Sequence, residues 1–153
     1  MHPSNLSDIT FLLADDDVDD KTLFCEALAE IDPGIVCHTA ADGKEALEIL
    51  SEKEARRPDI IFLDINMPIM DGWQCLGKLK ADANHRNIPV IMYSTSSYQR
   101  DIDLALESGA FCFFTKPSDY RELRSILKLI ATHPVNSLSE VMREFKNVRF
   151  TKR

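Results

Sequence analysis

Short apolar runs alternate along this chain with stretches whose apolar residues recur three and four positions apart. Residues 9–14 (ITFLLA) form a run that ends in acids and predicts a buried strand. Leu23, Phe24, Ala27, Leu28 and Ile31 follow at helical spacing, and Pro33-Gly34 ends that helix. A weaker second strand is predicted at residues 35–40. Residues 44–56 carry Ala46, Leu47, Ile49 and Leu50 as a helical stripe, which Pro58 stops. The third strand is residues 59–64 (DIIFLD), and the third helix is Gly72–Ala81, with Trp73, Leu76 and Leu79 on one side. Residues 88–93 read as a fourth strand and residues 98–108 as a fourth helix, stopped by Gly109. Residues 111–115 make the fifth strand. A fifth helix, capped by Ser118 or Asp119, turns Tyr120, Leu123, Ile126, Leu127 and Ile130 inward.

Five strands in strict alternation with five helices predict an α/β fold, a parallel sheet with helices on both faces. Strands apolar throughout, rather than at every second residue, support burial on both sides. The 153 residues suit one domain, read as 8–131, with a C-terminal extension at 132–153 in which residues 137–147 could form a short helix. The composition, 44% hydrophobic and 28% charged, is that of an ordinary globular protein.

A net charge of −7 argues against a nucleic-acid-coating protein. The charge is uneven: from Leu138 onward five Lys/Arg face two Glu, a balance of +3, which leaves −10 on the body. The extension reads first as a solvated terminal helix and second as a docking segment. Cys25, Cys37, Cys75 and Cys112 have no C-x-x-C or zinc spacing, and read as free, buried thiols in a reducing cytosol. The first eight residues lack a signal-peptide layout, and no apolar run approaches the ~18 residues of a membrane span. A cytoplasmic protein without membrane association is therefore expected.

In an open parallel sheet, sites form outside the carboxyl ends of the strands. There the sequence puts Asp15, Asp16 and Asp17 after strand one, and Asp64 after strand three. Ser94 and Thr95 follow strand four, and Lys116, before Pro117, follows strand five. Taken singly, each has a bland role: helix-dipole acids, turn residues, a surface lysine. Together they suit one chemistry. Clustered carboxylates repel unless a cation neutralises them. An oxygen-only donor set suits Mg2+ better than zinc, since no His or Cys joins it. A carboxylate can act as a covalent nucleophile toward phosphorus, with a lysine and a metal ion offsetting the charge on the phosphoryl oxygens.

Four segments carry a family resemblance: LLADDD at 12–17, PDIIFLDINMPIMDG at 58–72, IPVIMYSTS at 88–96 and ESGAFCFFTKP at 107–117. The chain resembles bacterial response-regulator receiver domains of the single-domain, chemotaxis-regulator type over roughly residues 10–131. The resemblance implies the flavodoxin-like strand order 2-1-3-4-5, one of the common orders of doubly wound sheets. It implies that Asp64 is the phosphoacceptor and that Asp15, Asp16, Asp64 and the backbone carbonyl of Asn66 hold Mg2+. It makes Ser94 the switch hydroxyl, Lys116 the phosphoryl-contacting lysine, Phe113 the aromatic switch and Pro117 a proline preceded by a cis peptide. It implies a histidine kinase or histidine phosphotransfer protein as donor and a downstream protein target, and no direct contact with nucleic acid or membrane. Helical residues Arg100, Asp103, Arg121 and Arg124 fall on the expected output surface.

Phe111, Cys112 and Phe113 make the segment before Lys116 unusually apolar for this family, so this face is open to a partner, a homodimer included. Beyond taking up and slowly losing a phosphoryl group, no enzymatic activity is expected. The rivals are a receiver-like scaffold that acts without phosphorylation and a Mg-dependent phosphohydrolase. The latter usually needs an acid two residues after its nucleophile, where this chain has Asn66. A nucleotide carrier is disfavoured by the acidic triplet, where a glycine-rich phosphate loop would be needed.

Overall fold

The computed structural model describes residues 9–53 and 56–151. The predicted alternation is present: β1 (Thr10–Ala14), α1 (Val18–Ile31), β2 (Val36–Ala40), α2 (Gly43–Ser51), β3 (Ile60–Leu63), α3 (Gly72–Ala81), β4 (Val90–Ser94), α4 (Gln99–Glu107), β5 (Cys112–Thr115) and α5 (Tyr120–Thr132). Helix α2 ends at Ser51, short of the predicted 56. The first eight residues and the last two basic ones, Lys152 and Arg153, lie outside the described residues.

Aspartates start most of the helices. Asp17, Asp42, Asp71 and Asp119 each accept a backbone N–H of the first turn, and Asp71 forms a reciprocal capping box with Gln74. Helix α4 has no side-chain cap and stops at Gly109, whose φ of 103° favours glycine.

The five expected strands pair in parallel in the order β2-β1-β3-β4-β5. Successive residues of β1 point to opposite faces, so its continuous apolar run feeds two cores. Phe11 and Leu13 pack with Phe24, Phe62, Tyr93, Leu127 and Ile130 beneath α1 and α5. Leu12 and Ala14 pack with Leu63, Leu76, Leu79, Met92 and Phe113 beneath α2, α3 and α4.

A sixth strand corrects the five-strand expectation. The chain leaves α5 through a 3-10 turn (Val135–Ser137) and a short α6 (Leu138–Val141), then runs as β6 (Val148–Phe150) antiparallel to β5. The extension is therefore not one helix over 137–147. Leu138 and Met142 are fully buried in the α1/α5 core, and Phe111 meets Phe150 edge-on at 5.6 Å. Part of the apolar face around β5 is thus taken by the chain's own extension. Among the described residues no helix is long and apolar enough to cross a membrane.

Candidate functional site

The carboxyl ends of β1, β3, β4 and β5 converge on Lys116. Its ammonium lies 2.8 Å from Asp15 Oδ2, 2.8 Å from Asp20 Oδ2 and 3.3 Å from Asp64 Oδ2. It also sits 5.2 Å from the ring centre of Tyr93. Its backbone N–H donates to the Ser94 carbonyl at 2.7 Å, which fixes the root of the side chain on β4. The resemblance implied a cis peptide before Pro117, but among the described residues no peptide is cis.

Asp15 is fully buried, and its second oxygen accepts the Asp17 N–H at 2.9 Å. Asp64 is nearly so, and its Oδ1 accepts the N–H of Ile65 at 2.7 Å, which orients the carboxylate. Asp16 is exposed. One oxygen from each of Asp15, Asp16 and Asp64 lies within 4.8 Å of the others, a spacing that could hold a metal ion. Asn66 lies exposed in the loop two residues beyond Asp64.

The electrostatics show a surplus of negative charge. Burial pushes the Asp64 carboxyl up to about 6; Lys116 pulls it back and the charge of Asp15 pushes it further up. Burial opposes the charge on Lys116, yet its bonds to Asp15 and Asp20 hold its pKa above the ordinary lysine value. One ammonium among the carboxylates of Asp15, Asp16, Asp20 and Asp64 leaves several charges uncompensated. A hard divalent cation fits this all-oxygen donor set.

A raised Asp64 has a stability consequence whose sign is fixed. Its folded pKa, about 6, exceeds the ordinary 3.8, so its favourable contribution is complete below pH 3.8 and is lost as pH rises through 6. Asp64→Asn has no such loss. Without divalent metal, the variant is expected to be more stable than the native protein by about 1 kcal/mol above pH 6, after allowing for solvent screening. The gain should vanish near pH 4 in urea unfolding; a gain independent of pH would mean that the charge is not its source.

Ser94 ends β4, and Phe113 lies within β5. Ser94 is almost wholly buried, and its Oγ accepts the N–H of Ser96 at 3.1 Å. Thr115 donates its hydroxyl to the Ser96 carbonyl at 2.9 Å, which ties the β4–α4 loop to β5. Phe113 is completely buried in the α4-side core, an inward position. Arg124 turns away from the expected output surface and binds Glu30 of α1 at 2.6 Å.

Two features escaped the sequence reading. Asp20 stands in the first turn of α1, and only the fold brings it to Lys116. Ile69, in the loop after Asp64, has φ 68°, a strained value for a β-branched residue, with Met70 N–H donating to the Pro68 carbonyl at 2.6 Å. Such strain persists where surrounding structure imposes it, often at functional loops.

A model of the family described as "Response regulator receiver domain" matches residues 11–128. The protein-glutamate methylesterase/protein-glutamine glutaminase of Methanococcoides burtonii is 37% identical over 121 residues, which are 75% of this chain and 33% of that protein. The chain spans about a third of the length of several of the curated relatives it matches. Among solved structures, the phosphorylated cyanobacterial phytochrome response regulator RcpA aligns with a TM-score of 0.73 and 34% identity, over 80% of this chain and 90% of that one. The Mn2+-bound form of response regulator Rcp1 aligns with a TM-score of 0.69 and 25% identity, over 94% and 99%.

Proposed function

Because the chain belongs to the response regulator receiver domain family, we propose that it is a phosphoryl-accepting switch whose acceptor is Asp64. The observation that carries this reading is the convergence of Asp15, Asp20 and Asp64 on one lysine, with Asp16 beside them. Asp15, Asp16 and Asp64, with the Asn66 carbonyl, would hold Mg2+, which when bound supplies positive charge that lets an anionic donor approach. Rcp1, a similar response regulator, was solved in an Mn2+-bound form, which supports a divalent metal in this chain.

The step is an in-line displacement. A carboxylate oxygen of Asp64 forms a bond to phosphorus, the P–N bond of a phosphohistidine breaks, and the imidazole leaves with the electron pair. The Ile65 N–H holds Asp64 in orientation, and its slight exposure leaves one approach for the donor. Lys116 exchanges its long contact with Asp64 for the new phosphoryl oxygens. Ser94, released from Ser96, hydrogen-bonds another, and the β4–α4 loop follows it. Because Ser96 is tied to Thr115, and Thr115 to the extension, the change reaches β5 and β6. The partners are a histidine kinase or phosphotransfer protein and a protein target that distinguishes the two states, in the cytoplasm.

The test is intact mass after incubation with a small phosphodonor, with and without Mg2+. The expected result is a gain of one phosphoryl group that requires both the metal and Asp64, and is absent in Asp64→Asn. Folded protein that gains nothing would remove the switch in favour of a scaffold that acts without phosphorylation.

A further inference from the structure

Away from the acidic site, Cys25 of α1 and Cys37 of β2 bring their sulphurs to 3.4 Å, in a partly buried contact. We propose that this pair is a redox modification site, oxidised by a peroxide to an intramolecular disulfide that staples α1 to the edge strand. The proposal stands independently of the phosphoryl reading.

The geometry carries it. A disulfide needs an S–S distance of about 2.05 Å, so an approach of roughly 1.3 Å closes it. The two residues are already brought together by the turn at Pro33-Gly34, so the bond closes a short loop that the fold has formed. Access is asymmetric. Cys25 lines an open surface groove with Val18, Lys21, Thr22 and Glu26, whereas Cys37 does not line it.

Reactivity follows the same order. The hydrogen bond between Cys25 and Cys37, helped by Lys21 one turn earlier, outweighs burial and draws the Cys25 thiol down to about 7. The contact with Cys25 and burial push Cys37 far above the ordinary range. Cys25 is then substantially thiolate at neutral pH, the form that attacks peroxide. Burial raises Cys75 to about 12 and also raises Cys112, which is fully buried.

The chemistry balances in two steps. The Cys25 thiolate attacks one peroxide oxygen, the O–O bond breaks, and the departing hydroxide takes a proton to become water, leaving a sulfenic acid. The Cys37 sulphur then attacks the Cys25 sulphur. The S–O bond breaks, the S–S bond forms, and the hydroxide leaves with the Cys37 proton as a second water. Two thiols are oxidised and one peroxide is reduced.

The staple falls on the helix whose first turn supplies Asp20 to Lys116, so oxidation restrains the element that holds one carboxylate of the acidic site.

The experiment treats the reduced full chain with equimolar hydrogen peroxide, blocks remaining thiols with a maleimide, and maps peptides without reduction. The expected product is a Cys25–Cys37 peptide pair, with the chain lighter by two hydrogens and restored by dithiothreitol. Cys25 is expected to be lost at least roughly tenfold faster than Cys75 or Cys112. In Cys37→Ser, a sulfenic acid at Cys25 should be trapped by dimedone; in Cys25→Ala, Cys37 should stay reduced. A native chain that builds up Cys25 sulfenic or sulfinic acid unpaired, links between molecules, or loses all four thiols at one rate overturns the proposal. The map of the native chain decides this even if a variant folds poorly.

Discussion

Replacing Lys116 with methionine is expected to destabilise the protein by about 3–5 kcal/mol at pH 7. The methionine keeps the apolar stem and removes the ammonium, so Asp15, wholly buried, is left charged and unpaired beside Asp64 and Asp20. Removing one partner of a buried ion group costs far more than the group contributes when intact, because the remaining charge has lost its water and its counterion. The pH dependence is the distinguishing sign. Without the lysine, burial and the charge of Asp15 raise Asp64 unopposed, so Asp64 holds its proton at higher pH in the fold than it does unfolded. Stability is then complete in acid and lost as pH rises past the ordinary carboxylate range. Urea unfolding from pH 4 to 7 should therefore show the deficit growing with pH, and added Mg2+ should recover part of it. An equal deficit at every pH would mean that Lys116 acts through packing of its stem.

Gly72→Ala is expected to cost about 3 kcal/mol and to slow phosphoryl uptake roughly a hundredfold. Gly72 opens α3 and donates its N–H to the Ile65 carbonyl at 2.9 Å. A Cβ there would collide with the carbonyl oxygen of Asp64 and stand 2.9 Å from the Ile65 Cα. Both are main-chain atoms, so relief requires moving the backbone of Asp64 and Ile65. Gly77, in the same helix, has nothing within 4 Å of its Cβ position, so Gly77→Ala should stabilise by about 0.5–1 kcal/mol and leave uptake unchanged. Unfolding midpoints and the rate of mass gain for the two variants check this directly. Uptake at the native rate in Gly72→Ala would show that the contact positions the helix but not Asp64.

The central architecture was legible because β1, β3 and β4 are apolar on both faces and the helices between them have clear stripes and aspartate caps. The strand ends, in turn, place Asp15, Asp64 and Lys116 at one edge of the sheet, where the fold brings them into contact, with Ser94 at the end of β4. Asp20 was not, since its spacing fits a helix-dipole acid and its contact with Lys116 spans 96 residues. β6 was missed for a different reason. A three-residue strand has no periodicity to read, and its pairing is set by Phe150 reaching Phe111 and by Asn147 bonding both backbone groups of Thr115. The polar stretch before it suited a helix equally well, and the burial of Leu138 and Met142 that folds it back depends on α5. The strain at Ile69 left no trace in sequence, because a β-branched residue gives no hint of positive φ.

With β6 laid along β5, the unpaired backbone groups of the sheet lie at two edges only among the described residues: the outer side of β2 and that of β6. An edge strand is a template for another chain, and its danger grows with its length. Three residues, one of them Arg149 reaching Gln99, offer a foreign strand too few bonds to hold it. Five residues of β2 offer more, and Val36 there is well exposed. Runaway strand-on-strand growth, where it starts from the folded state, therefore has one doorway among the described residues, on the side of the sheet away from the extension.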